Sequence, residues 1–138
     1  MYNFNQAIEW IFRELSTLLI FIGCGIGGVL RYLTTHFSTH FFGRAFPYGT
    51  LAVNAIGAFL MGLLTVLFQS KFHAFETPLR GLLLVGLLGG YTTFSSFSID
   101  TLNLLEAGRY FSVACYVFLS VGLCLAFVWA GALCGKLL

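Results

Sequence analysis

The residues Gly90-Tyr-Thr-Thr-Phe-Ser-Ser-Phe-Ser-Ile99 interrupt the apolar stretch Leu79–Leu105 with hydroxyls and two phenylalanines three apart. A segment whose only task was to cross a bilayer would stay apolar throughout. Polar groups at membrane depth are costly unless they face protein, water or an ion. Function is therefore expected in this stretch. Gly89-Gly90 followed by Thr92-Thr93 invites a break in the helix, since glycine in a helix interior costs about 1 kcal/mol. A break frees backbone carbonyls, and in a membrane these need a partner. Threonine hydroxyls can cap them, or a buried cation can be ringed by them.

Composition places this stretch in a membrane protein. The 138 residues are 59% hydrophobic and 9% charged, against roughly 25% charged in soluble domains. A net charge of +2 with no Lys/Arg cluster excludes a nucleic-acid partner. Cys24, Cys115, Cys124 and Cys134 lie in apolar runs without zinc-site spacing, and read as small packing residues. No cleavable leader is expected, because a basic segment before an apolar core is missing.

Four stretches meet the roughly 20 apolar residues that a span requires: Leu15–Leu33, Tyr48–Phe68, Leu79–Leu105 and Phe111–Leu133. Residues 1–14 read as an amphipathic lead-in along the headgroups, and 15–138 as the four-helix transmembrane domain. Pro47 and Pro78 each stand before a span, where a missing N–H costs nothing. Four spans put both termini on one face. That face holds Arg13, Lys71, Arg80 and Lys136, and the other holds Arg31, Arg44 and Arg109. So small a bias allows insertion in either orientation, and two opposed copies would pair about an axis in the membrane plane. Gly23/Gly27, Ala58/Gly62 and Gly131/Gly135 are small-xxx-small pairs that bring helix backbones close.

Enzyme chemistry finds little support. Four of the five acids fall at span edges or in loops, and only Asp100 lies within a span, towards its end. His36 and His40 are four apart in what reads as a connecting loop. Ser95, Ser96 and Ser98 have no His or Lys nearby to activate them. Without a deep acid in spans one, two or four, proton coupling lacks its usual group, which favours passive conduction. The polar residues left in the spans are neutral. Asn54 can either donate to a passing ion or join helices. Tyr116, Ser120 and Cys124 form one helical stripe. Phe94 and Phe97 share a face, and aromatic rings carry electropositive edges that suit an anion.

Three motifs stand in order: Gly27-Gly-Val-Leu-Arg31-Tyr32, then Gly49-Thr-x-x-x-Asn54-x-x-Gly57-x-Phe59-x-x-Gly62, then Gly89-Gly-Tyr-Thr-Thr-Phe-Ser-Ser-Phe-Ser98. With the Tyr116/Ser120 stripe they resemble the fluoride channel family (Fluc, also called CrcB), from roughly Gly23 to the C-terminus. The resemblance implies an all-α protein of the bacterial inner membrane: four helices per chain, the third broken, paired as an antiparallel dual-topology homodimer with two fluoride pores. It implies that Asn54, the ring edges of Phe94 and Phe97, Ser95 between them, and Tyr116 and Ser120 line the fluoride pathway. It implies that Arg31 sits at the aqueous vestibule. It further implies that carbonyls of Gly89 and Thr92, from both subunits, hold a structural sodium ion. Asp100 stands where the family usually has glutamate, and Cys124 where it often has a hydroxyl. The implied role is passive export of fluoride. The alternative, a small multidrug-type dual-topology exporter, would need a glutamate inside span one.

Overall fold

A computed structural model describes the backbone of residues 4–70 and 76–138 and the side chains of 13–70 and 78–138. Its elements are α1 (Phe4–Phe42), α2 (Tyr48–Ser70), α3 (Glu76–Arg80), a π-helical segment (Gly81–Leu88), α4 (Gly89–Tyr91), α5 (Phe94–Glu106) and α6 (Tyr110–Leu137). All regular structure among the described residues is helical. Four helical stretches, Arg13–Phe42, Tyr48–Ser70, Pro78–Glu106 and Tyr110–Leu137, are long and apolar enough to cross a membrane. The shortest, 23 residues, is about 35 Å long at 1.5 Å per residue, enough for a hydrocarbon core of about 30 Å.

The first helix runs further than the hydropathy pattern suggests. It continues past Leu33 to Phe42, so His36 and His40 lie on a helix and not in a loop. Threonines at 34, 35 and 39 bond back to carbonyls one turn earlier, which lets polar residues stay helical at the membrane edge. Gly43 then ends α1 with φ +74°, its N–H closing on the Thr39 carbonyl at 2.9 Å. At the end of α5, Gly108 has φ +68°. Its N–H bonds Leu105 and the N–H of Arg109 bonds Leu104, the paired closure of a Schellman cap. The amphipathic face expected for Met1–Glu14 lies mostly outside the described side chains.

Two glycine-lined seams hold the bundle. In one, α1 packs on the π-helical segment and α4. A Cβ at Gly23 would strike the Leu82 carbonyl, one at Gly27 the Leu87 carbonyl, and one at Gly90 the Cys24 backbone. In the other, α2 packs along α6, where Gly62 meets the Val128 carbonyl and Gly131 the Phe59 carbonyl. Lipid is as apolar as leucine, so such close backbone approach, and not water exclusion, drives helix association. α5 packs only lightly, against α6 and α2.

Candidate functional site

Winding in the third span stops just after the glycine pair. Gly89 is helical (φ −62°, ψ −38°). Thr92 (ψ 158°) and Thr93 (φ −156°, ψ 120°) are extended, and α5 begins at Phe94. Gly90 packs against the Cys24 backbone, and Thr92 and Thr93 carry the extended backbone. Thr92 Oγ1 donates to the Leu88 carbonyl at 3.0 Å. Thr93 Oγ1 accepts from the Ser96 N–H at 3.1 Å, the N-cap of α5. The π-helical turns just before this point already loosen the regular pattern, as such turns often do near functional sites.

Asn54 spans the interruption. Its Nδ2 donates to the Thr93 carbonyl at 2.9 Å, and its Oδ1 accepts from the Thr93 N–H at 2.8 Å. The side-chain amide thus pairs with the Thr93 peptide groups as a neighbouring strand would. In an unbroken helix the Thr93 N–H would serve the Gly89 carbonyl; here it turns to Asn54, so that carbonyl loses its helical donor. The second N–H of Nδ2 remains for another acceptor. The Thr92 carbonyl accepts from Arg31 Nη1 at 3.3 Å.

Beside Asn54 opens a groove of about 340 Å³, lined by Asn54, Thr93, Phe94, Phe97, Ser120, Val121, Cys124 and Leu125. Phe94 and Phe97 have centroids 5.3 Å apart at 43°; Phe94 is 78% exposed. Ser120 is buried, and its Oγ has no hydrogen-bond partner. A buried hydroxyl without a partner is rare and costs about 1–3 kcal/mol.

A second, polar cavity of about 610 Å³ lies at the end of α1, the start of α2 and the end of α5, with Thr50, Asp100 and Arg109 in its lining. Tyr116, fully buried, stands between the two. Its ring packs on Phe97 at 5.2 Å and edge-on to Phe46 at 5.5 Å. Its hydroxyl donates to Asp100 Oδ2 at 3.3 Å, which also accepts from Thr50 Oγ1 at 2.6 Å. Thr50, Asp100 and the Tyr116 hydroxyl thus form one polar chain at the polar cavity, and Tyr116 reaches the groove only through its ring contact with Phe97.

Of the residues singled out from sequence, Asn54, Phe94, Phe97 and Ser120 share the groove, whereas Tyr116 is not in its lining and touches it through Phe97. Ser95 is not among the groove residues; its hydroxyl lies 3.2 Å from Thr93 Oγ1. Arg31 turns inward to the interruption and does not line the polar cavity. Thr93 and Thr50 were not singled out. Thr50 stands one turn before Asn54 on the same face, a spacing that could have found it. Thr93 could not be separated from Thr92 by pattern, because only the backbone geometry decides which of the two caps α5. Among the described residues no three His, Cys, Asp or Glu side chains cluster as a metal site.

The profile of the family described as "CrcB-like protein, Camphor Resistance (CrcB)" matches residues 18–132. The chain belongs to the CrcB family. A protein of Coxiella burnetii (strain Dugway) named "Fluoride-specific ion channel FluC" is 51% identical over 122 residues, 88% of this chain and 98% of that protein. Proteins of the same name from Rhizobium etli and Vibrio parahaemolyticus are 45% and 43% identical, over 85% and 81% of this chain and 93% and 87% of their own lengths. The resemblance drawn from the three motifs is thereby borne out. These CrcB relatives are named as channels and not as enzymes, in line with the sequence reading. With four helices able to cross a bilayer, this CrcB chain is a multi-pass membrane protein.

Proposed function

We propose that this chain is a fluoride-selective channel that lets fluoride leave the cytoplasm passively. The observation that carries the reading is the groove itself. Asn54, Ser120 and the ring pair Phe94–Phe97 line one space with no charged side chain in its lining, and the buried Ser120 hydroxyl has no partner in the chain. Fluoride is small and strongly hydrated. It can give up water only where donors replace the shell along the way, and conduction needs contacts that hold it weakly enough to release it. From the polar cavity the route passes Thr50 and Asp100, then Tyr116, then the groove. Residues differ in their duties: Asn54 also locks the interruption, whereas Ser120 and Phe94 have no evident duty to the fold.

One chain leaves the groove open on the side of Phe94 and α5. We propose that a second copy, inserted the other way up, closes it. The antiparallel homodimer would then carry two pores in the bacterial inner membrane, and the break in the third span would lie at its centre. The donor set there suits a structural sodium ion, since neutral carbonyl oxygens are ligands for hard cations and the Gly89 carbonyl has lost its helical donor. Gly89 and Thr92 would supply two such oxygens per chain. When bound, the ion would offset the carbonyl dipoles left by the interruption. Arg31 donates to the Thr92 carbonyl at 3.3 Å, so its guanidinium would share that oxygen with the ion.

The test is release of fluoride from liposomes holding purified protein, read with a fluoride electrode and no proton gradient. Fluoride should leave far faster than chloride. Equal release of the two halides would defeat the selectivity claim, and crosslinks that trap only parallel pairs would defeat the antiparallel dimer.

A further inference from the structure

The extension of α1 beyond the expected span creates a feature that the conduction path does not use. His36 and His40, one turn apart, converge with Thr39 and Arg44 on a cleft of about 320 Å³. The positive φ of Gly43 folds the chain back so that Arg44 returns to the helix face it has just left. His36, Thr39 and Arg44 also line the polar cavity that leads to Thr50 and Asp100, so the cleft is the outer rim of that mouth. Tyr32 stacks on His36 with centroids 6.0 Å apart and planes 19° from parallel.

We propose that His36, His40 and Arg44 form a protonation-dependent anion-recruiting site that gathers fluoride at the mouth of the channel. The proposal rests on the channel reading for its purpose, though the site is defined by its own residues. An imidazole changes charge within the physiological range. Protonation of both would convert a rim with one fixed cation into one with three. A mouth lined by one sign of charge raises the local concentration of its counter-ion and hence the rate of entry.

The charged and titratable groups on this mouth are few. From α1 come His36 and His40; from the following turn, Arg44; from the α5–α6 link, Arg109; from α5, Asp100. Arg109 donates to the Ala45 carbonyl and so ties that turn in place. Asp100 is the single carboxylate in the lining. It sits at the inner end, where Thr50 and Tyr116 already donate to it, and it does not neutralise the rim. A divalent metal would meet the fixed charge of Arg44, so an anion fits the cleft better than a two-histidine metal site.

The test is fluoride current through the purified protein in planar bilayers, at low ionic strength and subsaturating potassium fluoride. Acidifying both chambers from about pH 8 to about pH 5.5, across the histidine range, should raise the wild-type current about threefold or more. Added potassium gluconate should erase the rise, and H36Q/H40Q should be flat with pH. Arg44→Gln should lower the current at both pH values. Independently, fluoride should raise the apparent pKa of the two imidazoles in an NMR titration, because an anion that prefers the charged ring must favour protonation. A wild-type current that is flat with pH, or a rise that survives in H36Q/H40Q, would overturn the proposal. So would block by nickel ions without any rise in acid, which would make the pair a metal site. If no fluoride current flowed at any pH, the channel reading would fall, and the imidazole titration would still decide this site.

Discussion

The two halves of the third span teach different lessons. Before Tyr91 the chain is clamped: Gly86 and Gly90 sit against the α1 backbone, and a Cβ at either would come within 2.9 Å of a carbonyl oxygen there. After Thr93 the chain is loose. α5 leans on α6 and α2 over a limited area, and its first residue, Phe94, is largely bare. Close packing in the first half, and along α2–α6, fixes the frame. The second half carries the rings of Phe94 and Phe97 into a groove lined also by α2 and α6. Close packing and the groove are thus separated along one span, and Asn54, from α2, bonds the backbone where the two halves meet.

That contrast can be broken most severely in a seam. Gly131→Val pushes a branched side chain into the Phe59 carbonyl, backbone that cannot yield as a side-chain tip would. A loss of about 3 kcal/mol or more is expected, seen as absence of a folded species by size exclusion in detergent. Folded, conducting Gly131→Val protein would show that the seam is not what holds the bundle.

Asn54→Asp should injure both properties. A carboxylate cannot donate to the Thr93 carbonyl, so stability should fall by about 1–3 kcal/mol, and fluoride release by at least about tenfold. Thermal melts and liposome efflux measure the two separately. Loss of efflux with an unchanged melt would deny Asn54 its share in the frame.

Phe94→Ile should divide the two properties. An exposed ring contributes little to the fold, so stability should move by no more than about 0.5 kcal/mol. Efflux should still drop about tenfold, the order of one lost contact to a charged group. The smallest effect is expected at Ser120→Ala. Its hydroxyl bonds to nothing in the chain, so its removal should leave the melt unchanged or slightly raised, while efflux falls a few-fold. A clear loss of stability there would reveal a partner within the fold and remove Ser120 from the pathway.

Much of this was legible before any coordinates. The third span announced itself because hydroxyls cannot lie idle in hydrocarbon. The small-xxx-small pairs that pack α1 and α6 could be read because close approach leaves room only for glycine or alanine. Other features resisted reading. The expected break covered Gly89-Gly90 and Thr92-Thr93 together, since glycine and threonine both weaken helices; both glycines are helical, and the extended residues are Thr92 and Thr93. The end of α1 was placed too early, because threonine and histidine lower hydropathy without ending a helix when hydroxyls can bond back to their own carbonyls.

Sequence alone decided the class of the molecule: four helices long and apolar enough to cross a bilayer, and the family to which the chain belongs. The helices follow from hydropathy and the cost of polar atoms in lipid, which act locally and leave a local trace, and the family follows from the resemblance carried by the three motifs. Tertiary structure alone decided that Asn54 clasps Thr93, that Tyr116 stands between two cavities, that Ser120 keeps a free hydroxyl, and that two histidines meet an arginine at the rim. Each of these depends on residues far apart in the chain coming within hydrogen-bond reach, and distance in space is not written in the spacing of residues along one helix.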